Sequence, residues 1–233
     1  MSTLPASARV GRPESERAAA VDLYWLPLGA GGHFVRMNGR IYEALVARWE
    51  KRPRCDLYHS ALIVTVPAGV FVVEQTWPIP RGDRSERGVV AEGPVGTRLA
   101  RRLRVLRYEI RRWRDGVIAD IDEAVASPQR LTDDVDVAER LLELVGDVPT
   151  YVWGRDELGA GEMWNSNSLI SWLIVRSGLD MGKIEPPFGG RAPGWDAGIV
   201  TARREGCEPT RPADAAALAP VAPSPPILGR SVG

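Results

Sequence analysis

Two stretches of this 233-residue chain hold residue types suited to chemistry. One is His59, at the head of the apolar run Tyr-His-Ser-Ala-Leu-Ile-Val-Thr-Val. The other is Trp164–Leu179, where Trp-Asn-Ser-Asn-Ser runs into a long apolar segment. Asn165, Ser166 and Asn167 are all residue types that cap helices. A helix N-terminus exposes unpaired N–H groups and the positive end of the helix dipole. A nucleophile placed there has a lowered pKa, and the same N–H groups can donate to an oxyanion. An imidazole within hydrogen-bond reach serves as general base, with a third polar residue to hold its tautomer. Plain capping is the competing reading of Asn165, Ser166 and Asn167, and a packed or surface residue is the competing reading of His59.

The elements that must position these groups can be read from periodicity. Val21–Leu28 reads as a strand or extended segment ended by Pro27 and the glycines that follow. Asn38–Arg48 has the spacing of an amphipathic helix. Leu57–Val66 and Val70–Trp77, rich in β-branched and aromatic residues and split by Pro67-Ala68-Gly69, should form a hairpin. Val89–Ala91 is expected to be a short strand within a glycine-rich loop, and Leu103–Trp113 a further strand. Asp133–Val145 reads as a helix with an acidic first turn and Gly146 just after it. Asn165–Ser177 reads as another, stopped by Gly178. Residues 1–20 and 206–233, the latter rich in Pro and Ala, are expected to be disordered around one domain at 21–205.

The order and content of these pieces resemble the permuted branch of the papain-like, NlpC/P60-type hydrolases. In that branch a hairpin opening on histidine precedes a helix opening on the nucleophilic cysteine. Here His59 comes first, and Asn165-Ser166-Asn167-Ser168-Leu169-Ile170 aligns on the cysteine motif with Ser166 in the cysteine's place. The resemblance implies an α+β fold, a small antiparallel sheet packed on helices in circularly permuted papain-like order. It further implies a hydrolase or acyltransferase acting on an amide, ester or thioester. In that reading Ser166 is the nucleophile, His59 the base and Glu74 the orienting residue. Asn165, Asn167 and Trp164 line the cleft, with the backbone N–H of Ser166 or Asn167 in the oxyanion hole. Gln75 and Thr76 rival Glu74, because the turn decides the register. A two-residue turn at Ala68-Gly69 sets Glu74 opposite Ile63, and a longer loop centred on Val66-Pro67 sets it opposite His59. The exchange of Cys for Ser fits a second reading equally: a catalytically inactive binding module that kept the cleft and lost the thiol.

Composition narrows the classes. Lys+Arg and Asp+Glu both number 30, so the formal net charge is zero and nucleic acid is not an expected partner. Arg98–Arg114 nonetheless concentrates eight arginines around Tyr108 and Trp113. It reads first as a solvated face paired with acids, and second as a site for an anionic substrate or lipid head group. The two cysteines, Cys55 and Cys207, have neither disulfide-framework nor metal-ligand spacing. His33 in a glycine-flanked loop and the glycine-rich stretch 188–199 could border the cleft. The latter is expected to be a loop packing Trp195 on the core. No cofactor or metal is expected, and the substrate, whether small molecule, peptide or lipid, is left open. The polar N-terminus has no signal-peptide pattern and no apolar run is long enough to span a bilayer, so a cytoplasmic location is expected.

Overall fold

Runs of β-branched and aromatic residues build the sheet at the centre of this protein. The computed structural model describes residues 18–28, 55–77, 86–118 and 120–207. Among these residues seven strands form: β1 (Ala20–Pro27), β2 (Asp56–Val66), β3 (Gly69–Thr76), β4 (Val89–Pro94), β5 (Arg107–Arg114), β6 (Gln129–Thr132) and the two-residue β7 (Gly190–Arg191). The main sheet runs β4-β5-β3-β2-β1-β6, each neighbour antiparallel, and β7 adds to β2 in parallel. Three α-helices accompany it among the described residues: α1 (Val135–Leu144), α2 (Ser166–Ser177) and α3 (Trp195–Cys207). The class is mixed α+β, an antiparallel sheet packed on helices.

Each helix has a local reason for its bounds. Asp134 caps α1 by accepting from the N–H groups of Asp136 and Val137. Asn165 and Ser168 close a reciprocal capping box at the start of α2. Gly178, in the left-handed conformation at φ 87°, ends α2. The start of α3 is served from elsewhere in the chain, since the Glu162 carboxylate accepts from the N–H groups of Gly194 and Asp196.

Helix α2 is the centre of the domain. Every residue from Ser166 to Ile174 is buried, because the sheet, α1 and α3 enclose it. The larger core joins Leu169, Ile170, Trp172, Leu173 and Ile174 to Tyr58, Leu62, Val64, Val73, Tyr108 and Ile110 of the sheet. Burying α2 on all sides requires close approach by α3. Gly198 supplies it: a Cβ there would overlap the Ser168 carbonyl and the Ser171 hydroxyl. Ser171 Oγ in turn donates to the Trp195 carbonyl at 2.7 Å.

The opposite face of the sheet has a smaller core of Leu26, Ala61, Val72 and Ile118, with Ile63, Trp113 and Ile121 packed against it. Beside that core runs a chain of buried ions. Glu109, fully buried, accepts from Arg87 at 3.0 Å and from Arg111 at 2.6 Å, and Arg111 also reaches Glu74 at 3.2 Å. Two arginines and two glutamates balance, so no uncompensated charge is buried.

Several expectations are refined. The hairpin turn is Pro67-Ala68, closed by Val66 opposite Gly69. Strand β4 continues to Pro94. Residues 98–106 form two 3-10 turns, and the strand begins only at Arg107. Trp195 does pack on the core, 5.0 Å from the Trp25 ring, but it opens a 13-residue helix where a loop was expected. The expected helix Asn38–Arg48 and His33 lie outside the described residues, as do most of the expected disordered segments 1–20 and 206–233; of the latter, Gly206 and Cys207 end helix α3.

Candidate functional site at the start of helix α2

The first turn of α2 sits over the beginning of β2. Asn167, 1% exposed, uses its whole side chain there. Its Oδ1 accepts from Ser60 Oγ at 2.9 Å, and its Nδ2 donates to the carbonyls of Tyr58 at 3.0 Å and Pro193 at 2.8 Å. Asn165 Oδ1 accepts from the Asn167 N–H at 2.8 Å, and its Nδ2 also donates to Pro193. Ser168 Oγ donates to the Gly194 carbonyl at 2.7 Å. Gly194 is held at φ 87°, and a Cβ there would collide with the Asn165 amide. The polar first turn therefore ties three segments together: the start of β2, the loop 193–194 and α2 itself.

Ser166 is buried at 6% exposure. Among the described residues its hydroxyl has no hydrogen-bond partner. Of the two backbone N–H groups proposed for an oxyanion hole, that of Asn167 is engaged by the Asn165 cap. Trp164 is buried with its ring edge against Tyr151, 5.2 Å between centroids.

His59 is placed by the pleat of β2. Side chains alternate across a strand. Tyr58, Leu62 and Val64 face α2 in the larger core, and Ala61 and Ile63 face away from it in the smaller one. Ser60, on the Tyr58 side, touches Asn167. His59 therefore lies on the face away from α2, half-buried, at the register position of Leu26. Burial holds its pKa down to about 4, opposed by a hydrogen bond to the Ser60 backbone and by the Asp120 carboxylate. The imidazole is neutral at pH 7. The structure does not bring it together with the Ser166 hydroxyl.

Glu74 shares the face of His59 but belongs to the ion chain. Leu62 pairs with Val73, so the same register sets Glu74 beside Ala61 and leaves Thr76 level with His59. Burial raises the pKa of Glu74, and Arg111 opposes the rise. Gln75 faces the other way, toward α2, and the register sets it level with Ser60. It is 3% exposed, and neither its Nε2 nor its Oε1 has a hydrogen-bond partner among the described residues. Leaving a buried amide unsatisfied costs about 1–3 kcal/mol, so this position stands out.

Ser60, the strand partner of the first turn of α2, was not among the residues singled out in the sequence; Gln75 was, as a rival to Glu74, and it stands on the face toward α2 rather than beside His59. The alternation itself was no guide, because both faces of β2 are apolar and both are covered. Cys55 is half-buried just before β2. No group of three or more His, Cys, Asp or Glu side chains able to hold a metal occurs among the described residues, and none of their helices is long and apolar enough to cross a membrane. Compared with protein-family models, with curated proteins and with solved structures, the chain has no match.

Proposed function

We propose that this chain is a non-catalytic binding module of permuted papain-like order. It keeps the hairpin-then-helix frame and carries neutral polar groups where a base would stand. The order of elements supports the frame: β2 and β3 precede α2, and the first turn of α2 rests on the start of β2. One observation carries the non-catalytic reading. His59 points to the face of β2 opposite α2, and the side chain that meets the first turn of α2 is Ser60. A serine nucleophile needs its base within about 3 Å, allowing for looser apo geometry.

In this reading Ser60 and Asn167 fix the first turn of α2 through their mutual hydrogen bond, and Gln75 and Ser166, whose side chains have no partner among the described residues, are the groups left for a ligand. These hydroxyl and carboxamide groups suit a neutral polar ligand. Gln75 offers an NH2 donor group and a carbonyl acceptor on a single planar group, the pattern that pairs with an amide.

The test is a serine-directed fluorophosphonate probe. The expected result is no covalent labelling of the wild-type protein from acidic to alkaline pH. Labelling that both Ser166→Ala and His59→Ala abolish, with the fold intact by circular dichroism, would instead establish the hydrolase reading. A thermal-shift screen of short amides and peptides on wild type and Gln75→Met then identifies the ligand class.

A further inference from the structure

The connection between β4 and β5 exposes apolar side chains that a water-facing turn has no use for. Leu99 is 74% exposed, Val105 68% and Leu103 57%. Arginines are interleaved with them. Arg98 is 79% exposed even while its Nε holds Glu157 at 2.6 Å. Arg101 and Arg102 are exposed, and no acidic side chain pairs with either among the described residues. The turns themselves are well anchored. Ala100 is buried, Arg107 Nε donates to the Arg101 carbonyl at 2.7 Å, the Val95 N–H donates to the Leu106 carbonyl at 2.9 Å, and Trp153 accepts from the Gly96 N–H and donates to the Pro94 carbonyl, both at 2.9 Å. The apolar side chains therefore project from a fixed support.

Arg101 borders two hollows. One, of about 350 Å³, is also lined by Arg107 and Glu92. The other, of about 300 Å³, is also lined by Arg98, Tyr151 and Glu157. Each is large enough for a phosphate-sized group beside a guanidinium. The sheet adds one more feature. Strand β3 ends where β5 begins, with Thr76 opposite Glu109. Trp77, 48% exposed, thus stands at the same end of the sheet as residues 95–106, against Trp153.

We infer that residues 97–107 form a docking surface for an anionic lipid bilayer. Leu99, Leu103 and Val105 enter the boundary between head groups and acyl chains, and Arg98, Arg101 and Arg102 pair with lipid phosphates. Two kinds of group point to this occupant together. Arginines near an anionic leaflet gain from its surface potential. Exposed leucine and valine gain only by leaving water for hydrocarbon. Nucleic acid uses the first kind of group and leaves the second wet. The 3-10 turns replace a long amphipathic helix, so contact is shallow and reversible. This surface is separate from the site at the start of α2 and stands without it.

The test is vesicle co-sedimentation of the full chain. Vesicles of phosphatidylcholine with phosphatidylserine are compared with phosphatidylcholine alone, at low and high salt. Binding is expected to the mixed vesicles only and to weaken with salt. Arg101→Gln and Arg102→Gln should each weaken it about fivefold. The double variant Leu99→Ser, Leu103→Ser should weaken it at least tenfold while leaving the circular dichroism spectrum unchanged, since both side chains already face solvent. No binding of wild type to the mixed vesicles overturns the inference. So does binding that the arginine variants lose and the leucine variant keeps, because a soluble polyanion would then be the occupant. Tighter binding to a mixed-sequence oligonucleotide than to the vesicles overturns it as well.

Discussion

Ser60 and Asn167 are 107 residues apart in the chain, and the hydroxyl of the first donates to the amide oxygen of the second at 2.9 Å. Through this contact the strand that opens the hairpin holds the first turn of the central helix. Asn167→Ala would strip three hydrogen bonds and leave Ser60 Oγ and two carbonyls without it. A loss of about 2–4 kcal/mol in unfolding free energy is expected from urea titration, against about 1 kcal/mol for Ser60→Ala. A double-mutant cycle on the pair should show the two effects to be less than additive.

Gln75 makes the opposite prediction. Its amide is buried without a partner, so an apolar side chain of similar length removes a cost. Gln75→Met is expected to raise stability by about 1 kcal/mol and to abolish binding of the amide-class ligand. A destabilised variant in thermal unfolding would show that the amide is satisfied, and the binding role would fall with it.

Within the buried ion chain, Glu109 sits between Arg87 and Arg111, and Glu74 stands at the rim. Glu109→Gln removes the charge that both guanidiniums share, at an expected cost of about 3–5 kcal/mol. Glu74→Gln should cost less, because Arg111 keeps its contacts to Glu109. Thermal unfolding of the two variants side by side reads the order.

The neutral His59 ties stability to acid. Its pKa is about 4 in the folded protein and about 6.5 in an unfolded chain. Between these values the unfolded state binds more protons, so stability rises with pH across that window. The contribution is complete above about pH 6.5 and is lost as pH falls through the folded value. Urea unfolding at about pH 4.5 should show a loss of about 2 kcal/mol relative to neutral pH. That part of the loss should vanish in His59→Gln.

The strands that declared themselves did so through β-branched residues bounded by turn formers. β1, β2, β3 and the helices α1 and α2 all lie where the periodicity puts them. The register was less legible. The sequence offered a two-residue turn at Ala68-Gly69 or a longer loop centred on Val66-Pro67; the turn is Pro67-Ala68, between the two, and it sets Thr76 and not Glu74 level with His59. Helix α3 was missed because Gly198, Thr201 and Gly206 are poor helix formers. Its glycine serves contact with α2 instead. The face of His59 was illegible for another reason. Tyr58, Ser60 and Leu62 on one side of β2 and His59, Ala61 and Ile63 on the other are equally mixed, so only the long-range contact to Asn167 tells them apart. The cap at Asn165 was visible in the residue types themselves.

Translation proceeds from β1 toward α3, and this gives the central position of α2 a temporal side. The six strands β1 to β6 leave the ribosome before the helix that covers them. Until residues 166–207 have emerged, Leu62, Val64, Val73 and Ile110 have only α1 to pack against, and the nascent sheet presents most of an apolar face to chaperones. Ribosome stalling before Ser166 should therefore yield a chaperone-dependent species, and release of α2 and α3 should be the event that commits the chain to its fold.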